Sequence, residues 1–222
     1  MHLKLSFTEE NYLKAIHSLT GKKKGVNTNS IAEKLSTKAS SVTDMIKKLA
    51  EKKLVKYEPY QGVKLTKGGE KIAVSTIRKH RLWEVFLVEK LKFGWEEVHE
   101  MAEQLEHIHS IELINRLDAF LDHPKVDPHG DPIPDKDGNI QLMPENILLG
   151  DCKVGEKGKI TGVNDISSDF LIYLNQHELT LGASVKISQI FEFDQSFEIE
   201  INKKKKITVS PLVTKNIYIR KS

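Results

Sequence analysis

Side chains able to hold a divalent cation gather between positions 80 and 107. His80 and Glu84 are four apart, so on a helix both leave the same face. His99, Glu103, Glu106 and His107 stand at i, i+4, i+7 and i+8 of a second helical stretch, again on one face. A helical hairpin that joined the two faces would collect three imidazoles and three carboxylates. Burying that many carboxylates without a cation is costly, which favours a metal over a bare polar core. Nitrogen and oxygen donors without thiolate suit Mn(II) or Fe(II), with Zn(II), Co(II) and Ni(II) able to compete by affinity. His109, His123, His129 and His177 have no matched partner in this pattern and are not counted as ligands.

The elements that must position these residues follow from periodicity. Tyr12, Leu13, Ile16 and Leu19 recur at helical spacing after Thr8, a plausible N-cap. After a turn at Gly21–Lys24, Asn29 or Ser30 starts a short helix. A third begins near Ser40, with Val42, Met45, Ile46 and Leu49 on one side. Leu54–Tyr57 and Gly62–Thr66 read as the strands of a hairpin around Glu58–Gln61. Helix, helix, turn, helix, hairpin is the order of a winged helix-turn-helix, here residues 1–74. Helices at about Lys67–Lys92, Glu96–Ser110 and Ile111–Leu121 form an all-α segment, residues 75–142. Five of the seven prolines fall within 122–144, marking a linker. Beyond it, residues 143–222 carry short β-rich runs at Gly158–Val163, Phe170–Leu174, Ser184–Ile190, Ser196–Ile201, Lys205–Ser210 and Asn216–Ile219, the pattern of a small β-barrel. The fold class is α+β.

Charge is segregated along the chain. Residues 1–79 hold 17 Lys/Arg against 7 Asp/Glu, whereas residues 80–150 hold 6 against 15. A basic segment attracts a polyanion, and an acidic, histidine-bearing one can hold a metal. In a helix-turn-helix the start of the second helix faces base edges, which here presents Lys38, Ser40, Ser41, Thr43 and Asp44 to double-stranded DNA. Lys47 and Lys48 would neutralise phosphates, and the hairpin would lay Tyr57, Tyr60 and Lys64 along the backbone. The 222 residues contain no apolar run of the roughly 18 residues needed to cross a bilayer. Met1–Phe7 lacks the apolar stretch of a signal peptide, and a single cysteine, Cys152, excludes an intrachain disulfide framework. A cytoplasmic protein without membrane contact or a small-molecule substrate is expected.

Five stretches carry a family resemblance: Thr-Glu-Glu-Asn-Tyr-Leu-Lys-Ala-Ile (8–16), Ser-Ser-Val-Thr-Asp-Met-Ile-Lys-Lys-Leu (40–49), Arg-Lys-His-Arg-Leu-Trp-Glu (78–84), Glu-His (106–107) and Pro-His-Gly-Asp-Pro-Ile-Pro (128–134). They resemble the diphtheria-toxin-repressor/manganese-transport-regulator family, and the C-terminal part looks like the SH3-like (FeoA-type) domain of its longer members. The resemblance implies a homodimeric, metal-activated repressor that binds palindromic operators. It also implies two metal sites. One joins a first-helix residue, Asn11 in this chain, to Glu103, Glu106 and His107. The other uses His80, Glu84 and His99, supplemented from the SH3-like domain, where Asp165 or Asp169 is the candidate. Iron-responsive members tend to carry cysteine at position 103 and manganese-responsive ones glutamate, so Glu103 points to Mn(II), with Fe(II) as the alternative. Asn11 replaces the family's usual methionine or aspartate. Lys14 stands where shorter manganese regulators have a further carboxylate.

A helical carboxylate–histidine metalloenzyme is the rival from another class, since di-metal bundles use Glu-x-x-His. The chain lacks the matching second motif, and an enzyme would leave the basic winged helix unexplained. A regulator answering to an organic ligand would leave the carboxylate–histidine cluster idle.

Overall fold

The computed structural model describes residues 5–20, 25–58, 62–141 and 145–222. The chain divides into two compact units. One comprises Met1–His80, Glu103–Asn115 and Pro134–Asn139; the other comprises Arg81–Ala102, Arg116–Ile133 and Ile140–Ser222.

In the first unit, α1 (Phe7–Thr20), α2 (Thr28–Lys34) and α3 (Ala39–Glu51) precede a hairpin of β1 (Val55–Glu58) and β2 (Gly62–Leu65). The hairpin is antiparallel, with Val55 opposite Leu65 and Tyr57 opposite Val63. Asn27 caps α2, its side chain accepting from the Ser30 N–H at 2.8 Å. Leu13, Ile16, Ile31, Val42, Ile46, Leu49 and Val63 form one apolar core. Because Val42, Ile46 and Leu49 lie at i, i+4 and i+7, with Met45 and Ala50 half-buried beside them, α3 turns its polar residues to solvent. The Gly21–Lys24 turn lies outside the described residues, as does most of the hairpin turn.

α4 (Lys67–Glu89) contributes its start to this unit and its end to the other. It stops before the expected Lys92, where the chain turns through Lys92 at φ 63° and the Leu91 N–H reaches back to the Phe86 carbonyl. α5 (Val98–Leu105) is shorter than its periodicity suggests. The Ile108 N–H closes a tighter turn on the Leu105 carbonyl at 3.2 Å, so Glu106 and His107 sit in the turn after the helix rather than on it. α6 spans Ile111–Phe120.

The second unit carries a six-stranded antiparallel sheet in the order β3-β8-β4-β5-β6-β7. Its strands are β3 (Ile147–Leu148), β4 (Lys157–Val163), β5 (Ser184–Ile190), β6 (Phe197–Ile201), β7 (Lys205–Val209) and β8 (Ile217–Lys221). Strand β6 alternates cleanly, with Phe197, Ile199 and Ile201 buried. This is the antiparallel architecture expected of an SH3-like domain. One expected strand is wrong: Phe170–Leu174 lies inside helix α7 (Ser168–Gln176). A five-residue apolar run fits either state, and the flanking residues decide it. Ser167 is extended, the Asp165 carboxylate accepts its N–H at 2.8 Å, and Leu171 and Leu174 are buried one helical turn apart. A short α8 (Pro211–Thr214) precedes the last strand.

Candidate metal centre

Within the first unit, α1 faces the turn after α5. Glu106 is fully buried. Its Oε2 accepts from His80 Nδ1 at 2.6 Å, and both its oxygens accept from the Lys14 ammonium at 2.7–2.8 Å. Lys14 also donates to Glu103. Burial pushes the Glu106 carboxyl up, but His80 and Lys14 outweigh it and hold the group below the ordinary carboxylate range. Glu10, buried on α1, accepts from His107 Nδ1 at 2.6 Å. A carboxylate only accepts there, so Nδ1 carries the proton and Nε2 keeps its lone pair. Nε2 lies 3.8 Å from Glu106 Oε1, on the side a shared cation would occupy. The Phe7 ring stacks on the imidazole at 4.5 Å and holds its plane. Lys79, also buried, lies 4.0 Å from Glu10; burial pushes its ammonium down, and Glu10 and Glu106 only partly oppose this.

These residues suit a hard or borderline divalent cation. The donors are carboxylate oxygens and an imidazole nitrogen, with no thiolate. Asn11 Oδ1 is buried and accepts no hydrogen bond among the described residues, which leaves a neutral oxygen on α1 available to a ligand. Glu10 supplies the carboxylate–histidine contact that commonly orients a metal-binding imidazole.

The second unit holds a further cluster. Glu84, Asp127 and His129 are all buried and offer one ligand atom each within 4.8 Å of one another. His129 Nε2 donates to the Trp95 carbonyl at 2.8 Å, which turns Nδ1 toward Glu84 Oε1 at 3.6 Å. Asp127 Oδ1 accepts the N–H groups of His129 and Asp131, while Arg81 Nε stands 3.4 Å from Oδ2. Burial, with Glu84 and Asp131 close by, pushes the Asp127 carboxyl up to about 7. Burial works against a charged His129, but Glu84 and Asp127 overcome it and raise its titration above the ordinary imidazole range. His99 Nδ1 lies 3.3 Å from Glu84 Oε1 at the rim of this group.

His80 Nδ1 reaches Glu106, and Glu84 lies beside His99 and His129. His129, unmatched on spacing alone, is one of the buried members, and Asp127 joins it from the same segment. Both come from an irregular segment, where no helical or strand period marks a shared face. The available signal was the Asp-Pro-His-Gly-Asp run at 127–131. Asp165 caps the approach to α7 and Asp169 is exposed on it; among the described residues neither joins a cluster of three potential ligands.

On the winged-helix side, Lys38, Ser40, Ser41, Thr43, Asp44, Lys47 and Lys48 are all exposed along α3 and its N-cap. Lys47 pairs loosely with Asp44 at 3.4 Å. Lys64 is half-buried on β2, and Tyr60 lies outside the described residues.

Comparison with known proteins agrees with this division of labour. The N-terminal DNA binding domain model of iron dependent repressors matches residues 4–63, the metal binding and dimerisation domain model matches 66–135, and the FeoA domain model matches 147–221. The diphtheria toxin repressor of Corynebacterium glutamicum is 30% identical over 187 residues, 81% of this chain and 80% of that protein. The chain belongs to the iron-dependent repressor family. The family consists of DNA-binding transcriptional repressors, not enzymes. Iron-dependent repressor IdeR of Mycobacterium tuberculosis is 34% identical over 129 residues, 57% of this chain, and the match spans about half (55%) of that relative's length. A manganese-dependent transcriptional repressor solved in complex with manganese superposes with a TM-score of 0.86 at 32% identity, covering 96% of this chain and 100% of the other. The manganese regulator SloR gives 0.75 at 36% identity, over 96% and 98%. Among the described residues no helix is long and apolar enough to cross a membrane.

Proposed function

We propose that this chain is a metal-dependent transcriptional repressor of metal-ion homeostasis, acting in the cytoplasm as a homodimer on a palindromic DNA operator when loaded with Mn(II). The observation that carries the reading is the meeting of Glu10 and Lys14, from the first helix of the DNA-binding domain, with His107 and Glu106 of the helical domain. A divalent cation held there would cross-link the two by electrostatic and coordinate bonds. Glu103, Glu106, His107 and Asn11 supply ligands, Glu10 orients His107, and Glu84, Asp127 and His129 with His99 form a second candidate set. Because ligands on both sides engage together, metal affinity and operator affinity rise by the same coupling free energy. The exposed face of α3 carries Ser40, Ser41 and Thr43 for base edges and Lys38, Lys47 and Lys48 for phosphates. Ile111, Leu113 and Phe120 stand exposed on α6, apolar surface that a second copy would cover. Two recognition helices about one DNA turn apart would then read a palindrome.

Glu103 in place of a thiolate favours Mn(II); Fe(II) is the second reading, favoured by the iron-dependent relatives. Fluorescence anisotropy of chelator-stripped protein on its own upstream DNA, at one fixed salt concentration, tests the proposal. Mn(II), anaerobic Fe(II), Zn(II) and no metal are compared. Tightening with Mn(II) above the others supports the reading, a preference for Fe(II) selects the alternative, and equal binding with and without metal overturns metal control.

A further inference from the structure

Lys14 cannot be a ligand while charged, yet it sits between two of the expected donors, Glu103 and Glu106. Its ammonium bonds both Glu106 oxygens and Glu103, and its side chain is only 19% exposed. With His80 on Oε2, each oxygen of the fully buried Glu106 already has a cationic or N–H partner. A divalent cation would bind those same oxygens at about 2.0–2.2 Å. An ammonium kept at hydrogen-bond distance from atoms so occupied would set two positive centres on one carboxylate, and their repulsion opposes joint occupancy.

We infer that Lys14 is an internal competitor for the metal: its ammonium holds Glu103 and Glu106 when no divalent cation is bound, and metal loading is an exchange of one cation for the other. The inference rests on Glu103, Glu106 and His107 being metal ligands. It has two consequences of opposite sign. Lys14 spares the metal-free protein a buried, uncompensated carboxylate and keeps α1 tied to the turn after α5. It also raises the metal concentration at which the repressor loads, because every loading event must first break the ion pair. The lysine stem is flexible and partly open to solvent, so the ammonium has a route to water without backbone movement.

The test is isothermal titration of the metal-free full chain with Mn(II), paired with thermal melts in chelator. Lys14→Met, which keeps the apolar stem and removes the charge, is expected to bind Mn(II) about tenfold more tightly and to melt at a lower temperature without metal. Lys14→Arg, which keeps the charge, is expected to stay within about threefold of the parent. Lys14→Gln substitutes for Lys14→Met should the latter not fold. Equal or weaker Mn(II) binding in the uncharged variant overturns the inference. Glu106→Gln separates the two levels. If it binds Mn(II) like the parent, the ligand assignment itself fails. If it loses binding while Lys14→Met matches the parent, the ligands stand and Lys14 is no competitor.

Discussion

Glu10 offers the sharpest test of how the first helix controls the metal site. It is buried and accepts from His107 Nδ1 at 2.6 Å, with His109 Nδ1 3.6 Å from its other oxygen. Replacing it with glutamine preserves size and one acceptor but removes the charge. A net hydrogen bond to a charged group contributes about 1.5–3 kcal/mol, and the neutral version about half of that. The loss of about 0.75–1.5 kcal/mol corresponds to a metal affinity weaker by about 3- to 12-fold. Glu10→Ala removes the contact outright and frees the imidazole to rotate or change tautomer. Loss of such an orienting carboxylate costs about 10- to 100-fold in affinity, and alanine should fall at the upper end. Alanine also strips Lys79 of the carboxylate 4.0 Å away, so a lower melting temperature is expected for it and a near-parental one for glutamine. The assay is titration of chelator-stripped protein with Mn(II), followed by operator anisotropy at saturating metal. If Glu10 acts by orienting His107, operator affinity should recover toward the parental value once metal is saturating. Two folded variants binding Mn(II) within twofold of the parent would refute the argument.

Three further outcomes follow from other parts of the molecule. Lys47→Ala should weaken operator and non-operator DNA alike and reduce the slope of log affinity against log salt by about 0.9, as expected for one lost phosphate contact; a change in sequence preference instead would make Lys47 a base reader. In metal-free protein, Asp127 holds a proton up to about pH 7 that the unfolded chain releases near 4, so its contribution to stability falls as pH rises through that window, by up to about 1.4 kcal/mol per pH unit. His129, raised above its ordinary value, adds to the loss as pH passes through its folded titration; urea denaturation from pH 5 to 8 should show a fall that Asp127→Asn flattens, and parallel profiles would contradict the assigned burial effect. Gly130→Ala should destabilise the C-terminal unit by more than 1 kcal/mol, because Gly130 sits at φ 93° and a Cβ there would meet the Thr161 carbonyl oxygen at 2.2 Å; an unchanged urea midpoint would show that the loop yields.

Much of this protein was legible in its sequence. The order of amphipathic helices before the hairpin, the basic first third and the helical spacing of Val42, Ile46 and Leu49 are local properties, and local properties dictated which face of α3 meets solvent. The potential donors were equally readable, since Glu103, Glu106 and His107 are neighbours along the chain. Partnership was not. That His80 reaches Glu106 and Glu84 lies beside His129 depends on packing against residues 26 and 45 positions away. His129 and Asp127 lie in a segment with no period to reveal a shared face. The Phe170–Leu174 run was too short for periodicity to separate strand from helix, and the Asp165–Ser167 turn settled it. Lys14 was visible as a departure from the family pattern, but only the folded chain set its ammonium between Glu103 and Glu106. Sequence determines which groups are available; their electrostatics and competition are decided by contacts between residues far apart in the chain, because burial and proximity are products of tertiary packing.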